Sequence, residues 1–391
     1  MKVLDLVRAM ERIAPLEHAE SWDKVGLLVG HSQRELVWKM AEGTAPGVLL
    51  TIDLTERVLD EAERLKVGAV VAYHPPIFDP IARLTDETSR GRILLRAIGA
   101  GLAIYSPHTA LDAVKGGISD WLCEGLSGAG EGGKVAGDCK ALVPHDAIPG
   151  GGSGARVKIV TFVPAKDLEQ VRGALASAGA GRIGAYSLCS FAVAGTGTFM
   201  GDPGTNPAAG KAGAFEQVEE MRLEMVCAQS AVALALETLR RFHPYEEPAI
   251  DVIALSPLPE RGIGAGRRLV LDRPASLHEL AQRLKKHIGR DRIRVAISGD
   301  DRPITRIGVV PGAGESLLAT AKKEGCEVFV TGEMRHHQVM EALHSGMSVI
   351  LGNHTSTERG YLPRLAARLR QELPGARVEV SQADVDPLVT V

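Results

Sequence analysis

The 391-residue chain has little of what marks several protein classes. Aromatic residues make up 4% of it, and its five cysteines form no C-x-x-C pair, which argues against a disulfide framework or a thiolate zinc site. Lys and Arg number 45 against 48 Asp and Glu, so no broad basic surface for nucleic acid is expected. The N-terminus lacks a signal peptide's apolar run, and no window reaches the roughly 18 apolar residues of a membrane span. These absences predict a folded protein of the reducing cytoplasm.

Two stretches alternate short apolar runs with helical patterns, one over residues 48–106 and one over residues 306–373. Short apolar runs separated by helices indicate parallel strands that are buried on both faces. At the start of the first predicted helix, Asp53 and Glu56 have the spacing of a capping box. We therefore expect an α/β domain in which both chain ends build one doubly wound layer.

The middle of the chain has a different pattern. Residues 125–154 are rich in glycine and predict a flexible linker, and "SPLPERGIGAG", over residues 256–266, predicts a second one. Between the linkers, the elements follow the order βαββαβ, which is the ferredoxin-like α+β arrangement. The predicted domains are therefore an α/β domain over residues 1–135 and 264–391, and an insert over residues 156–257.

Two segments end an apolar run with a histidine that is followed four positions later by an acid. They are His108 with Asp112, and His354 with Glu358. Each follows a predicted strand and begins a predicted helix, which places it at the carboxyl end of a parallel strand, where open α/β sheets bind ligands. Positions i and i+4 of a helix share a face, so each pair is able to chelate a cation. His74, in "YHPPIF", also follows a predicted strand.

Each of these patterns alone has an ordinary explanation. A single His-x-x-x-acid pair is more often a helix cap or a surface ion pair, and a single histidine is more often part of a turn or a core. Convergence of all three segments at one sheet edge favours a metal site instead. Imidazole and carboxylate ligands without thiolate suit zinc, iron, manganese or cobalt at hydrolytic or oxygen-based centres.

Five sequence blocks, in this order, resemble the signature blocks of the Nif-three-like family: "ESWDKVGLLVG", "YHPPIF", "YSPHTALDA", "TGEMRHHQV" and "GNHTSTERG". That family includes the NGG-one-interacting factor proteins and bacterial proteins named GTP cyclohydrolase I type 2. The resemblance extends into the insert, where "GTGTF" and "HPYEEPAIDV" are similar to a PII- or CutA-like module. It implies two metal ions in the α/β domain and a toroidal homohexamer.

The resemblance makes four residues metal ligands: His74, Asp112, His354 and Glu358. It also implies that Glu358 bridges the two ions. Tyr73 departs from the family pattern, because it stands where many bacterial members have the first histidine of "HHP". A phenol with a pKa of about 10 is a poor neutral ligand, so one metal site has a ligand fewer. His108 either fills that gap or orients a ligand.

Two residues are candidates for catalysis beside the metal ligands. Glu333 follows another predicted strand and is able to accept a proton or hold a water, and His108 is the second candidate. The insert offers His243, Glu246 and Glu247 in "HPYEEP", but proline-flanked segments are commonly turns.

The ligand set and the resemblance together predict a metal-dependent hydrolase. Two divalent ions, of zinc, iron or manganese, would acidify a water that attacks a purine nucleotide or a related substrate. By the resemblance, the reaction opens the guanine ring of GTP with loss of formate. The alternative is a non-enzymatic metal-binding scaffold that regulates or interacts with other proteins. The expected partners are further copies of the chain, a small-molecule or nucleotide substrate and proteins, whereas membranes and nucleic acid are not expected.

Overall fold

The structure, a computed structural model, describes residues 1–38, 45–129, 134–145, 156–256, 260–299 and 302–388. The chain divides into two compact units: the first comprises Met1–His145 and Glu260–Val391, and the second comprises Asp146–Pro259. Both contain helices and sheets, so the fold is mixed α/β with several sheets. Within the described residues, no helix has the length and apolar character needed to cross a membrane.

Strands and helices alternate through most of the described chain. The strands are β1 Gly26–Val29, β2 Gly47–Thr51, β3 Ala69–Ala72, β4 Ala103–Ser106, β5 Gly137–His145, β6 Arg156–Val163, β7 Phe191–Met200, β8 Phe215–Ala228, β9 Ile250–Ala254, β10 Glu260–Ala275, β11 Arg294–Ala296, β12 Ile304–Val309, β13 Val328–Thr331, β14 Ser348–Leu351 and β15 Arg377–Val380. The α-helices are α1 Val3–Ile13, α2 Glu56–Arg64, α3 Ser89–Ala100, α4 His108–Ala113, α5 Ile118–Ser127, α6 Leu168–Ser177, α7 Val232–Phe242, α8 Leu277–Ile288, α9 Leu318–Lys323, α10 His336–His344, α11 Ser356–Arg359 and α12 Leu362–Glu372.

The first sheet of the first unit is built mainly by the N-terminal half of the chain. Its strand order is β1-β4-β3-β2-β15, with parallel pairing throughout except for β1, which is antiparallel to β4. β2 and β3 are buried along their whole length, as expected of parallel strands that are covered on both faces. Helices α2 and α3 pack on one face through a cluster that includes Leu59 and Ile93.

The second sheet of this unit is built mainly by the C-terminal half. Its order is β11-β14-β13-β12-β10-β5; the three central strands β12, β13 and β14 are parallel, and the others pair antiparallel. The largest hydrophobic cluster joins one face of each sheet, with Val71 from the first and Val330 from the second. Helices α1, α5, α8 and α12 contribute to the same cluster, so both chain ends share one core.

The prediction of one doubly wound layer is therefore wrong, because two separate sheets form and exchange strands. β15, from the C-terminal end, joins the first sheet, and β5, from the N-terminal half, joins the second. The prediction of linkers over residues 125–154 and 256–266 is wrong where these residues form parts of α5, β5 and β10. The glycines serve the pairing of β5 with β10: Gly137 and Gly264 have φ of +129° and +141°, and a Cβ on either would meet a carbonyl oxygen at 2.1 Å. The linker residues 130–133, 146–155 and 257–259 lie outside the described residues.

The second unit has its own sheet and core. Its elements follow the order β6-α6-β7-β8-α7-β9, and the antiparallel sheet has the order β7-β8-β6-β9. Helices α6 and α7 pack on one face of this sheet through Leu175 and Leu239, which contact the cluster of Ile159, Leu223 and Met225. The other face of the sheet carries none of these core residues.

Candidate metal centre

Three side chains of types that bind metal ions meet where strands of the two sheets of the first unit end. His74 follows β3 of the first sheet, His354 follows β14 of the second, and Glu358 lies in α11. Their ligand atoms all lie within 4.8 Å of one another. Oε1 of Glu358 is 3.4 Å from Nε2 of His354, and Oε2 is 3.5 Å from Nε2 of His74. A buried carboxylate thus lies between two imidazoles, one from each sheet.

Carboxylates hold the other ring nitrogen of each of these imidazoles. Nδ1 of His74 is 2.9 Å from Oδ1 of Asp53, and Nδ1 of His354 is 2.9 Å from Oε1 of Glu333. Because an ionised carboxylate only accepts hydrogen bonds, Nδ1 carries the proton and donates it. In the neutral ring, Nε2 is then left with a lone pair that is available to a cation.

His108 repeats this arrangement next to His74. Its Nδ1 is 2.7 Å from Oδ1 of Asp23, whose second carboxylate oxygen accepts a hydrogen bond from the backbone N–H of Thr109. The ring of His108 lies edge-on to those of His74 and Tyr73, with centroid distances of 5.6 and 5.3 Å. All three histidines therefore have the same tautomer when neutral, with the proton on Nδ1.

Tyr73 and Asp112 form a hydrogen-bonded pair beside these residues. The Tyr73 hydroxyl lies 2.8 and 2.9 Å from the two carboxylate oxygens of Asp112. Burial, and then the charge of Glu358, raise the pKa of Asp112 well above its usual value. Burial, and then the charge of Asp112, likewise raise the pKa of Tyr73, so its hydroxyl stays protonated and donates to Asp112.

The electrostatics of His74 are governed by its two acidic neighbours. Burial lowers its pKa, but the hydrogen bonds and charges of Asp53 and Glu358 outweigh burial and raise the pKa to about 10. For Asp53, burial raises the pKa, but the hydrogen bond from His74, together with the charges of His74 and Arg359, outweighs burial, so that the net change is downward. In the metal-free protein near neutral pH, His74 is therefore an imidazolium, and a cation that binds its Nε2 must displace a proton.

Two observations show that the residues fit a bound cation. Oε2 of Glu358 is buried, and in the described part of the chain its contact with Nε2 of His74, at 3.5 Å, is too long for a normal hydrogen bond, so the oxygen is poorly satisfied. The loops after β12 and β13 also enclose the site through glycines. A Cβ on Gly312 would lie 2.6 Å from Oε1 of Glu358, and a Cβ on Gly332 would lie 2.7 Å from Cα of His354. A divalent cation held by His74, His354 and Glu358 would satisfy the buried oxygen.

The chain as a whole is similar to known proteins. Residues 1–387 match the family described as Duf34/NIF3 (NGG1p interacting factor 3). The chain belongs to the Duf34/NIF3 family. The family resemblance drawn from the five sequence blocks is thereby confirmed.

Relatives of this Duf34/NIF3 protein include bacterial and mammalian proteins. It is 33% identical, over 99% of its length, to a Halalkalibacterium halodurans protein named GTP cyclohydrolase 1 type 2 homolog, of which it covers 98%. It is 31% identical, over 100% of its length, to NIF3-like protein 1 of Homo sapiens, of which it covers 93%. A solved structure of a Bacillus cereus protein related to NIF3 matches it with a TM-score of 0.67 at 30% identity, covering 100% of this chain and 99% of that one.

The residues predicted as ligands or catalysts in this Duf34/NIF3 protein all lie in or beside the ligand group: His74, His108, Asp112, Glu333, His354 and Glu358. His243, Glu246 and Glu247 lie in the second unit. Asp112 is outside the three-residue ligand group and is hydrogen-bonded to Tyr73. Glu333 contacts His354. The assignment of each residue as ligand or catalyst stays a prediction.

Sequence reasoning missed two members of the site, Asp53 and Asp23. The prediction of Asp53 as a helix cap is wrong, because α2 is capped by Thr55, whose side chain accepts a hydrogen bond from the backbone N–H of Val58. Asp53 lies two residues after the end of β2, as His74 does after the end of β3, so the strand-end signal that selected His74 applies to it as well. Asp23 follows no strand; its only signal is its place in the block "ESWDKVGLLVG".

Two exposed aromatic residues, Trp22 beside His108 and Phe78 beside Trp22, lie at this side of the site. The residue exposure of Trp22 is 54% and that of Phe78 is 42%. The Trp22 ring lies 6.0 Å from the Phe78 ring and 6.2 Å from the His108 ring, measured between centroids. They give the Duf34/NIF3 centre an apolar surface on the side of His108.

Proposed function

We propose that this protein is a metal-dependent hydrolase of the GTP cyclohydrolase 1 type 2 kind. One observation carries the proposal: the Nε2 atoms of His74 and His354 converge on the buried Glu358 carboxylate, while a separate carboxylate holds each Nδ1. Structural ion pairs do not require imidazoles to be oriented in this way, whereas metal ligands commonly are. The name of the Halalkalibacterium halodurans relative supports the same reaction class.

The residues of the chain have separate tasks in this proposal. His74, His354 and Glu358 hold the cation, and Asp53 and Glu333 keep the imidazoles oriented by accepting their Nδ1 protons. A bound divalent cation would act as a Lewis acid on the substrate and would lower the pKa of a water molecule. His108, fixed through Nδ1 by Asp23, gives or takes a proton at Nε2.

The substrate proposed is a purine nucleotide, whose guanine ring is opened by water with release of formate. The exposed rings of Trp22 and Phe78 support this class, because a planar base stacks favourably on aromatic side chains next to the proton carrier His108.

The reaction is tested by incubating GTP with protein that has been loaded with zinc, iron or manganese and measuring formate. We expect formate from the wild type and none from Glu358→Gln. Glu341→Gln is the matched control, because Glu341 is exposed on α10 and the same charge is removed there. If the wild type releases no more formate than Glu358→Gln, the proposed reaction is wrong.

Several finer features belong to the same proposal. A second divalent ion would be held by Asp112 and Glu358. The two carboxylate oxygens of Glu358 lie next to different histidines, His74 and His354. Tyr73, at the position of an expected ligand, would make this second ion the weaker of the two. We also propose that the protein forms a toroidal homohexamer and is located in the cytoplasm. For the second unit we propose a ferredoxin-like fold of the PII or CutA kind, which its element order and strand order support.

A non-enzymatic metal-binding scaffold is the second candidate function. The family description names an interacting factor, and the human relative is named after it. In this case Glu358→Gln would lower the thermal stability or the assembly of the protein, with no turnover to lose. For an enzyme, we expect the same variant to stay folded and assembled and to lose turnover.

A further inference from the structure

The second unit contains a cavity of about 690 Å³ that the proposed reaction does not use. Its position follows from the strand register. Leu223 and Met225 of β8 face the helices, so Arg222 and Glu220, which alternate with them, face the other side of the sheet. Gly195 of β7 is paired directly with Glu220 and therefore shares that side. All three line the cavity, which lies on the sheet face opposite α6 and α7.

Two glycines keep the floor of this cavity open. Gly195 has no atom within 4 Å of the place where its Cβ would be, and its φ is not in the left-handed region, so a side chain there would enter the cavity without backbone strain. A Cβ on Gly197 would lie 2.1 Å from Oε2 of Glu220. The carboxylate of Glu220 therefore occupies the space that this second glycine leaves.

The walls of the cavity are acidic. Three carboxylates line it: Glu220, Glu246 and Glu247. Glu220 accepts a hydrogen bond of 2.7 Å from the Tyr245 hydroxyl, and Glu246 accepts one of 2.9 Å from the backbone N–H of Asn206. Both donors are neutral, so they provide hydrogen bonds to the carboxylate oxygens without neutralising the negative charge of Glu220 and Glu246.

The one cation among the described lining residues has a partner of its own. The guanidinium of Arg222 is bound to Glu224, outside the lining, at 2.9 Å, and it lies 5.8 Å from the centre of the Phe162 ring. Glu224 also binds Nζ of Lys158, at 2.7 Å, and among the described residues Arg222 forms no ion pair with Glu220, Glu246 or Glu247. Glu247 is paired with Arg240 at 3.6 Å, which leaves Glu220 and Glu246 without a cationic partner in the described residues. Phe162, Phe199 and Val193 supply apolar surface beside them.

We propose that this cavity binds an organic cation, an ammonium or guanidinium group on an apolar body. The charged group would lie against Glu220 and Glu246, where neutral donors leave the negative charge uncompensated. The apolar body would lie on Phe162 and Phe199, and aromatic faces also attract ammonium and guanidinium groups. A cavity of several hundred cubic ångströms suits a small organic molecule.

The spacing of the acidic groups favours an organic cation over a metal ion. Among the described residues, the group of metal-ligating side chains close enough to hold an ion is that of His74, His354 and Glu358, in the first unit. The carboxylates of the cavity do not converge on one point. An extended cation is able to contact carboxylates that are spread along a wall.

The proposal is tested on the full chain by isothermal titration with three organic cations: phenethylammonium, agmatine and spermidine. Phenylethanol and phenylacetate serve as the neutral and anionic analogues of the first. We expect at least one cation to bind with a Kd below about 1 mM, and its affinity to fall as salt is raised, because exposed charges are screened. Phenylethanol and phenylacetate should bind at least about tenfold more weakly than phenethylammonium if that cation is bound.

Two pairs of variants locate the site. Glu220→Gln keeps an oxygen for the Tyr245 hydroxyl and removes only the charge, and we expect about tenfold weaker binding of the cation. Glu219→Gln removes the same charge from the neighbouring residue, which is not part of the lining, and should leave binding unchanged. Gly195→Leu should abolish binding, whereas Gly173→Leu, at an exposed position of α6 that is also open around its Cβ, should not.

Three results would overturn the proposal. The first is that none of the three cations binds at 10 mM, a concentration far above the expected Kd of about 1 mM. The second is that phenylacetate binds more tightly than phenethylammonium. The third is that Gly195→Leu changes the oligomeric state in solution while cation binding persists, because the cavity would then hold a second copy of the chain. None of these results depends on the metal centre or on formate release, so the two proposals succeed or fail separately.

Discussion

The arrangement of the three imidazoles is the most informative feature at the scale of single residues. Each Nδ1 lies within 2.9 Å of a carboxylate oxygen, from Asp53, Asp23 or Glu333. Asp53 and Glu333 each stand 21 residues before their histidine, whereas Asp23 stands 85 residues before His108. The histidines were predictable because each follows an apolar strand, and functional side chains of α/β sheets lie at the carboxyl ends of parallel strands. This rule requires only the order of strands and residues along the chain. The same rule applies to Asp53 and Glu333, which follow β2 and β13, the parallel neighbours of β3 and β14. It does not apply to Asp23, which follows no strand.

Asp53 is expected to control metal affinity without binding the metal itself. Asp53→Asn keeps an oxygen near Nδ1 of His74 but removes the charge, and we expect the affinity for zinc to fall by about 10- to 100-fold. Asp60→Asn, on the exposed side of α2, is the matched control. Competition with a zinc chelator measures the affinity. Equal affinities for the two variants would show that Asp53 does not orient the imidazole.

The pH dependence of metal binding follows from the raised pKa of His74. Below a pKa of about 10, a cation must displace the proton on Nε2, so the apparent affinity should rise by up to about tenfold per pH unit between pH 6 and pH 8. In the metal-free protein, the stability of the fold changes with pH in the opposite direction to the metal affinity. The interaction of protonated His74 with its acidic partners makes its full contribution to the free energy of unfolding below pH 6.5. This contribution is lost as the pH rises through about 10. Zinc titrations in two buffers of different ionisation enthalpy measure the proton release. Binding that releases no proton in this range would contradict the assignment of His74 as a ligand.

At the scale of secondary structure elements, the buried parallel strands were the predictable part. β2, β3, β13 and β14 are short apolar runs buried at every position, and the sequence pattern marks such runs directly. The exchange of β5 and β15 between the sheets was not predictable, because edge pairing depends on contacts between distant segments. Glycine-rich sequence in and around β5 and β10 also indicated linkers, whereas Gly137 and Gly264 allow the two strands to approach closely.

Arg267 should hold α4, and with it Asp112, in place. Its side chain is 1% exposed, donates hydrogen bonds to the carbonyl oxygens of Ala113 and Val114 and pairs with Asp120. Arg267→Ala leaves these groups buried without a partner, and we expect the free energy of unfolding to fall by about 3–5 kcal/mol. Arg273→Ala, at an exposed position of the same strand, should change it by no more than about 0.5 kcal/mol. Urea denaturation measures both, and equal effects of the two substitutions would contradict the role of Arg267.

At the scale of the whole molecule, the two units should be separable. Every residue of the three hydrophobic clusters in the first unit belongs to that unit, and the cluster of the second unit is made of its own residues. His145 and Glu260 are direct partners in the pairing of β5 with β10, so a short turn can close the chain after excision. Replacing residues 146–259 by Asn-Gly should give a protein that unfolds cooperatively and still binds zinc. Loss of cooperative unfolding in calorimetry would show that the second unit is required for folding of the first.

The central claim is that His74, His354 and Glu358 hold a divalent cation, and elemental analysis of the purified protein tests it most directly. His354→Ala removes a proposed ligand, and His344→Ala, at the exposed end of α10, removes a histidine of the same type away from the site. We predict about one equivalent or more of zinc, iron or manganese per chain in the wild type and in His344→Ala, and a large loss of that metal in His354→Ala. An unchanged metal content in His354→Ala would contradict the account.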